Sequence, residues 1–418
     1  MEPIRPAAIL LIPAVSSYRL LLDHDIAGLN LLKRLILTLQ RAGIEEFTLL
    51  AKENLEESKQ DEILEDIKKD FRFKGKLNLF GRRDFLQKPE EGKIRLLGGP
   101  SGILLLEANL VITAKLIREF IWQACGPTRR NKPGIARLGF PPKRPQPVYY
   151  FPPGELTALE NHLRDEPLVD GVERIDIEED KRFLLKTVQD GATARQAERE
   201  LIENHKHHYT QIMDKWFNVF FSIPISSVLV KTPLTPNQIT LMGLIIGLCA
   251  GWFFSLGTHM GQVFGGILLA GTAIWDCCDG DVARLKFMES DFGETLDTLC
   301  DNIINVFIFT GMMIGTARSE GLAYALIPFL LLIAGGAAIL ILIYYPKGGK
   351  GSFFQGTRIY GLIQVLASRN FIYIILVFAI FGRTGWFLWL AGFGSLAFAL
   401  ILFLAKRNIL LNAPALPK

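Results

Sequence analysis

Eight acidic side chains fall between Asp276 and Asp301, and only one more, Glu320, lies elsewhere between Pro236 and Lys418. Carboxylates are costly to hold in so apolar a stretch, so a cluster of them marks a functional site. Asp276, Asp279, Gly280, Ala283 and Arg284 recur at intervals that place them on one helix face. Gly293, Asp297 and Asp301 repeat the pattern on the helix that follows. Two such faces can bring four carboxylates together, which requires a counter-charge. A hard divalent cation is the natural partner, because Mg²⁺ takes oxygen ligands and commonly shares them with substrate phosphates. Gly280 and Gly293 clear side chains from the approach of a bulky ligand, and Arg284 can hold a carboxylate or contact a phosphate. Asp281, Glu289, Asp291 and Glu294 fall off these faces and are expected to be solvated connector residues.

The elements that position these groups follow from the charge distribution. Residues 236–418 hold only 20 of the chain's charged side chains, although the 418-residue whole carries 46 basic and 42 acidic ones. The first part is expected to be water-soluble and the second lipid-embedded. A bilayer span needs roughly 20 mostly apolar residues. Candidates run from about Asn237 to Leu256, Val263 to Asp276, Gly293 to Thr316, Leu322 to Tyr345, Asn370 to Gly382 and Thr384 to Ala405, giving a six-helix membrane domain. With the soluble part in the cytoplasm, Lys231, Arg284, Lys286, Lys347, Lys350, Arg358, Arg369, Lys406 and Arg407 lie inside, whereas Arg318 and Arg383 lie outside. Both termini are then cytoplasmic, in an integral membrane protein of the cell inner membrane. No cleavable signal peptide is visible. MDKWFNVFFSIPISSVLVK, from Met213, is expected to be an interfacial amphipathic helix carrying Trp216, Phe217, Phe220 and Phe221. His205, His207 and His208 form the flank before it. A net charge of +4 is too small to argue for nucleic acid, no nucleic-acid partner is expected, and the five cysteines show no disulfide framework.

The string DCCDGDVARLKFMESDFGETLDTLCD from Asp276 resembles the signature of the CDP-alcohol phosphotransferases, D-x2-D-G-x2-A-R-x8-G-x3-D-x3-D, with all eight fixed positions filled. TPNQIT, Thr235–Thr240, is similar to that family's sequence at its first span. The resemblance covers roughly residues 212–410. It implies that Asp276, Asp279, Asp297 and Asp301 bind Mg²⁺ or Mn²⁺, as two ions, and that Asp301 is the general base. It also implies that Gly280, Ala283, Arg284 and Gly293 shape the nucleotide site beside Asp276, with Asn237 and Thr240 nearby. The implied reaction is attack by an acceptor alcohol on a CDP-alcohol donor with release of CMP, one of the two substrates being a lipid, in phospholipid or related phosphodiester synthesis. A homodimer is implied as well. FFSIPISS, Phe220–Ser227, lacks the arginines that many relatives have there, which leaves Lys350, Arg358 and Arg369 as candidates for an acceptor phosphate or as charges facing anionic lipid.

Residues 1–190 alternate strand-like and helix-like runs. Ala7–Ala14, Glu46–Ala51, Lys76–Phe80 and Ile103–Leu106 are expected strands, and Ile26–Ala42 and Ala114–Ala124 expected helices. The alternation predicts an α/β domain around a mostly parallel, Rossmann-type sheet. AAILLIPA and LNLLKRLILTLQRAGIEEFTLL resemble the nucleotidyltransferase fold. However, no glycine lies between Ile12 and Asp25 to cradle a triphosphate, and Asn109 stands about where a metal-binding aspartate is expected. This domain is therefore expected to be catalytically silent. The organisation reads 1–200 cytoplasmic α/β domain, 201–235 linker and interfacial helix, 236–410 membrane domain. Two other readings use the same residues: a cation transporter with the carboxylates on its path, and a bifunctional enzyme whose N-terminal half also makes the CDP-alcohol.

Overall fold

The computed structural model describes residues 6–12, 21–22, 24–52, 57–91, 93, 102–126, 134–140, 144–165, 172–178, 180–209, 211–344 and 370–411. It divides into two compact units. One comprises Met1–His208, Val230–Thr232 and Leu285–Met288; the other comprises Tyr209–Leu229, Pro233–Arg284 and Glu289–Lys418.

The first unit is an α/β domain. Its strands are β1 (Ala7–Ile12), β2 (Asp25–Ile26), β3 (Leu29–Asn30), β4 (Glu46–Ala51), β5 (Lys76–Gly81), β6 (Ile103–Glu107), β7 (Leu110–Ile112), β8 (Ala136–Phe140), β9 (Arg144–Phe151), β10 (Glu173–Asp176) and β11 (Leu185–Thr187). Seven of them form one sheet in the order β10-β8-β9-β6-β1-β4-β5. The unbroken apolar runs AAILLI and ILLLE suit strands buried on both faces, and they occupy the parallel centre, where Leu10 pairs with Leu49 on one side and Leu106 on the other. β9 runs antiparallel to both β6 and β8, so the sheet is mixed at that edge.

Helix α1 (Leu31–Arg41) starts later than the apolar pattern predicts. The residues before it fold back as an antiparallel hairpin, Asp25 pairing with Asn30, through Ala27 and Gly28 at φ 50° and 73°. Asn30 then caps the helix by accepting from the Lys33 amide at 2.8 Å. A side chain at Gly28 would meet the Val230 carbonyl oxygen at 2.3 Å, so the turn is reserved for glycine on two grounds.

Arg34, on α1, is 4 % exposed and is held by backbone carbonyls. Its Nε donates to Ile26 O at 2.8 Å, and its Nη2 to Ala27 O at 3.0 Å and Leu285 O at 2.8 Å. Burial lowers its pKa to about 9, so the group stays charged at neutral pH and depends on those carbonyls. Arg72 donates to Lys286 O at 2.8 Å, Arg41 lies 4.5 Å from the ring centre of Phe287, and Lys286 donates to Thr232 O at 2.6 Å. The short segment Leu285–Met288 is thus built into the α/β unit, although in sequence it joins the two carboxylate-bearing helices.

The unit also contains α2 (Ala114–Cys125) and α3 (Gly191–Asn204). The second unit is helical: α4 (Val219–Leu229), α5 (Pro236–Ser255), α6 (His259–Leu285), α7 (Asp291–Glu320), α8 (Leu322–Tyr344), α9 (Phe371–Ile380) and α10 (Thr384–Leu411). Five of these, α5, α6, α7, α8 and α10, are long and apolar enough to cross a membrane. The span expected near Asn370–Gly382 is a helix of only 10 residues among the described ones, so the predicted count of six is not reached by length and composition. Its core joins Ala250 and Phe254 of α5, Leu269 and Ala273 of α6, Ile304, Ile308 and Met312 of α7, and Ile375 of α9. Outward-facing Ile245, Trp252, Phe264, Val306 and Leu330 form the apolar exterior that a lipid phase would cover. This is the surface of an integral membrane protein.

Glycines bring α5 and α7 together. A Cβ at Gly247 would meet Ile304, one at Gly251 would meet Phe307 O at 2.9 Å, and one at Gly311 would meet Gly251 O at 2.1 Å. Gly243, Gly247 and Gly251 recur every fourth residue, the small-residue seam by which apolar helices approach closely.

Candidate active site

Thr235 opens α5 as N-cap, with Gln238 returning a bond to the Thr235 amide and Pro236 in the first turn. That fixes the height of Asn237 and Thr240. The Trp275 indole donates to Ile239 O at 2.8 Å and so sets α6 beside the same turn. Ser290 caps α7 by accepting from the Gly293 amide at 3.0 Å, which fixes where Asp297 and Asp301 emerge. Two helix starts are thus set by local caps, and α6 is set against the first of them by one bond between helices.

Between them, carboxylate oxygens of Asp276, Asp279 and Asp297 lie within 4.8 Å of one another. Those three, Asp301 and Thr240 line a narrow cavity of about 40 Å³ that continues past Thr272, Cys300, Ile304 and Asn305 into the bundle. Thr240 Oγ1 donates to Asp279 Oδ2 at 2.6 Å, so the threonine orients that carboxylate directly. Both residues are 8 % exposed. An all-oxygen group of this kind fits a hard divalent cation such as Mg²⁺ or Mn²⁺, and it fits a soft metal poorly. Asp301 shares the cavity but stands outside the tight group of three.

The other expected site residues surround this cavity without lining it. The position of a Cβ on Gly293 lies 3.2 Å from Asn237 Oδ1, so the glycine lets that amide approach the start of α7. A Cβ on Gly280 would lie 3.3 Å from both terminal nitrogens of Arg284, whose guanidinium rests over the bare backbone there. Ala283 is half-buried on the same helix. Lys350, Arg358 and Arg369 lie outside the described residues.

One expectation is overturned. Asp281 is not a solvated connector: it is 0 % exposed. Its Oδ1 accepts from Arg284 Nη2 at 2.8 Å, and its Oδ2 accepts from the Tyr209 hydroxyl at 2.6 Å and Ser226 Oγ at 3.3 Å. A carboxylate this deep needs such partners, and the helix-face argument could not see them. Glu289, Asp291 and Glu294 are exposed as expected. Asn305 was also missed, although it continues the four-residue interval of Gly293, Asp297 and Asp301. On α4, Trp216, Phe220 and Phe221 in and before the helix point outward while Ser222 and Ser226 are buried, so its polar stripe faces protein and its aromatic stripe faces away.

Residues 233–397 match the CDP-alcohol phosphatidyltransferase family. An archaetidylinositol phosphate synthase of Pyrococcus horikoshii is 36% identical over 91 residues, 22% of this chain and 47% of that protein. A bifunctional IPC transferase and DIPP synthase of Aquifex aeolicus is 26% identical over 216 residues, 50% of this chain and 43% of that protein. The chain spans less than half the length of these curated relatives. A crystal structure of Mycobacterium tuberculosis phosphatidylinositol phosphate synthase with CDP-DAG bound aligns over 48% of this chain and 98% of that one, at 17% identity and a TM-score of 0.34, a likeness too loose to carry an argument. The match to this family thus covers the helices that carry the carboxylate cluster.

Proposed function

We propose that this domain transfers a substituted phosphate from a CDP-alcohol donor to an acceptor alcohol, with release of CMP, at the cytoplasmic face of a membrane. The observation that carries the reading is the convergence of Asp276, Asp279 and Asp297 on a cavity that Asp301 also lines. Asp276, Asp279 and Asp297 would hold Mg²⁺ or Mn²⁺ jointly with the donor's diphosphate, with Asp301 close by. When bound there, the metal supplies polarisation of the diphosphate and neutralises charge on the departing phosphate. Asp301 accepts the proton of the acceptor hydroxyl. The acceptor oxygen bonds to the phosphorus bearing the donor's alcohol, and the bond from that phosphorus to the bridging oxygen breaks, freeing CMP. Thr240 keeps Asp279 in its ligating orientation, and Arg284, over Gly280, faces the phosphates.

One relative is named for archaetidylinositol phosphate, which favours a lipid-linked CDP donor with a phosphorylated polyol acceptor. Lys350, Arg358 and Arg369 remain the residues proposed to meet that acceptor's phosphate. The distribution of basic residues supports an inner-membrane protein with both termini cytoplasmic, α4 lying in the headgroup layer and the segment around α9 completing a sixth span. The α/β unit, read as a silent nucleotidyltransferase-like domain, and a homodimer belong to the same proposal.

Release of labelled CMP by the purified full-length protein tests it. Asp301→Asn should abolish release while leaving Mn²⁺ binding nearly intact, whereas Asp297→Asn should lose both. Chelation should stop turnover, and added Mg²⁺ or Mn²⁺ should restore it. Wild-type turnover in Asp301→Asn would overturn the assignment of the base, and CMP release unaffected by chelation would overturn the metal site.

A further inference from the structure

Asp281 occupies a position that the family signature leaves unspecified, yet it is the centre of a closed polar network. Its carboxylate is sealed from solvent and pairs with Arg284, one turn further along α6. The Tyr209 hydroxyl, which donates to Asp281, also lies 2.9 Å from Ser222 Oγ. Ser222 and Ser226 are one turn apart on α4, both 0 % exposed, and both take part. The surroundings are otherwise apolar: Leu229, Ile239, Cys278 and Val282 form the cluster that holds α4, α5 and α6 together here. Asp281 is fully buried while the Arg284 side chain is 30 % exposed, so it is the carboxylate that would be left uncompensated if the pair were broken.

We propose that Asp281 is a positioning residue, holding the Arg284 guanidinium over Gly280 for the donor's phosphates and tying that arginine to the segment from Tyr209 to α4. The proposal rests on the functional reading above. A guanidinium carries five N–H donors in a rigid fork, so a bond from Nη2 to Asp281 fixes the direction of the whole group. The aromatic stripe of α4 and the phosphate-facing arginine are thereby anchored to one carboxylate. Asp281 does not touch substrate; its effect on donor binding passes through Arg284.

The test compares full-length wild type, Asp281→Asn and Tyr209→Phe in detergent, with CMP and Mn²⁺ as probes. Asn keeps an acceptor for Tyr209 and Ser226 but loses the charge that holds Arg284. Asp281→Asn should weaken CMP binding and raise the donor KM by about tenfold or more, with a smaller change in kcat. Mn²⁺ affinity, measured without nucleotide, should move less than about twofold, because the metal-binding carboxylates are untouched. Tyr209→Phe should shift KM in the same direction by a smaller factor, and it answers the question if Asp281→Asn fails to fold. CMP affinity equal to wild type in whichever variant folds would overturn the proposal. So would CMP and Mn²⁺ affinities that fall together with the melting temperature, the signature of a purely structural role. A wild-type protein that binds no CMP in the presence of Mn²⁺ would defeat the functional reading itself, and this proposal with it.

Discussion

Replacing Thr240 by valine isolates one bond in the carboxylate cavity. The two side chains have nearly the same shape and the same branching, so α5 keeps its local conformation. What disappears is the hydroxyl, whose short bond goes to Asp279 Oδ2, with the Pro236 carbonyl as a longer alternative acceptor at 3.1 Å. At 2.6 Å the bond to Asp279 has the length of a hydroxyl donating to an ionised carboxylate. Both partners are 8 % exposed, so water substitutes poorly for the lost donor. Hydrogen bonds to charged groups contribute about 1.5–3 kcal/mol. At 1.36 kcal/mol per factor of ten, the loss corresponds to roughly 10- to 100-fold in metal affinity or in kcat/KM. The assay is CMP release as a function of Mn²⁺ and of Mg²⁺ concentration, together with direct Mn²⁺ binding. The expected result is a half-saturating metal concentration raised by that factor, with part of the rate recovered at high metal. Curves within about twofold of wild type would refute the claim that Thr240 orients a metal ligand.

Two further substitutions test the scaffold. Gly311→Ala places a Cβ 2.1 Å from the Gly251 carbonyl oxygen, backbone that cannot yield without parting α5 from α7, and should destabilise by about 1–3 kcal/mol. Gly271→Ala, on α6 where a Cβ meets nothing within 4 Å, is the matched control and should leave the melting temperature unchanged or slightly raised. Arg34→Met removes the donor for Ile26 O, Ala27 O and Leu285 O and should destabilise by about 3 kcal/mol or more. In a unit of this size that is a melting temperature roughly 6–12 °C lower, and Arg34→Lys should recover only part because an ammonium cannot reproduce the fork.

The convergence of Asp276, Asp279 and Asp297 was legible because a helix repeats its faces at fixed intervals, with Asp301 one turn beyond Asp297 on the same cavity. The central strands were legible for a similar reason, since runs such as AAILLI leave little alternative to a buried parallel strand. Asp281 was not, because its burial is decided by Tyr209, 72 residues earlier, and Ser226, 55 residues earlier. Nothing local distinguishes it from exposed Glu289. The hairpin before α1 was hidden by Ile26 and Leu29, which fit a helical stripe as well as a strand, so the turn at Ala27 and Gly28 decides the matter. The spacing of Gly243, Gly247 and Gly251 was visible, but its meaning depends on a partner helix bearing Gly311.

The assignment of Leu285–Met288 to the α/β unit bears on how such a gene could be cut. The polypeptide leaves and re-enters that unit for Val230–Thr232 and again for Leu285–Met288. A fragment ending near residue 208 would lack both inserts, stranding Arg34 without one of its carbonyls and Gly28 without the neighbour it accommodates. The α/β unit is therefore not a detachable bead. Swapping it between proteins requires transplanting Val230–Thr232 and Leu285–Met288 along with it.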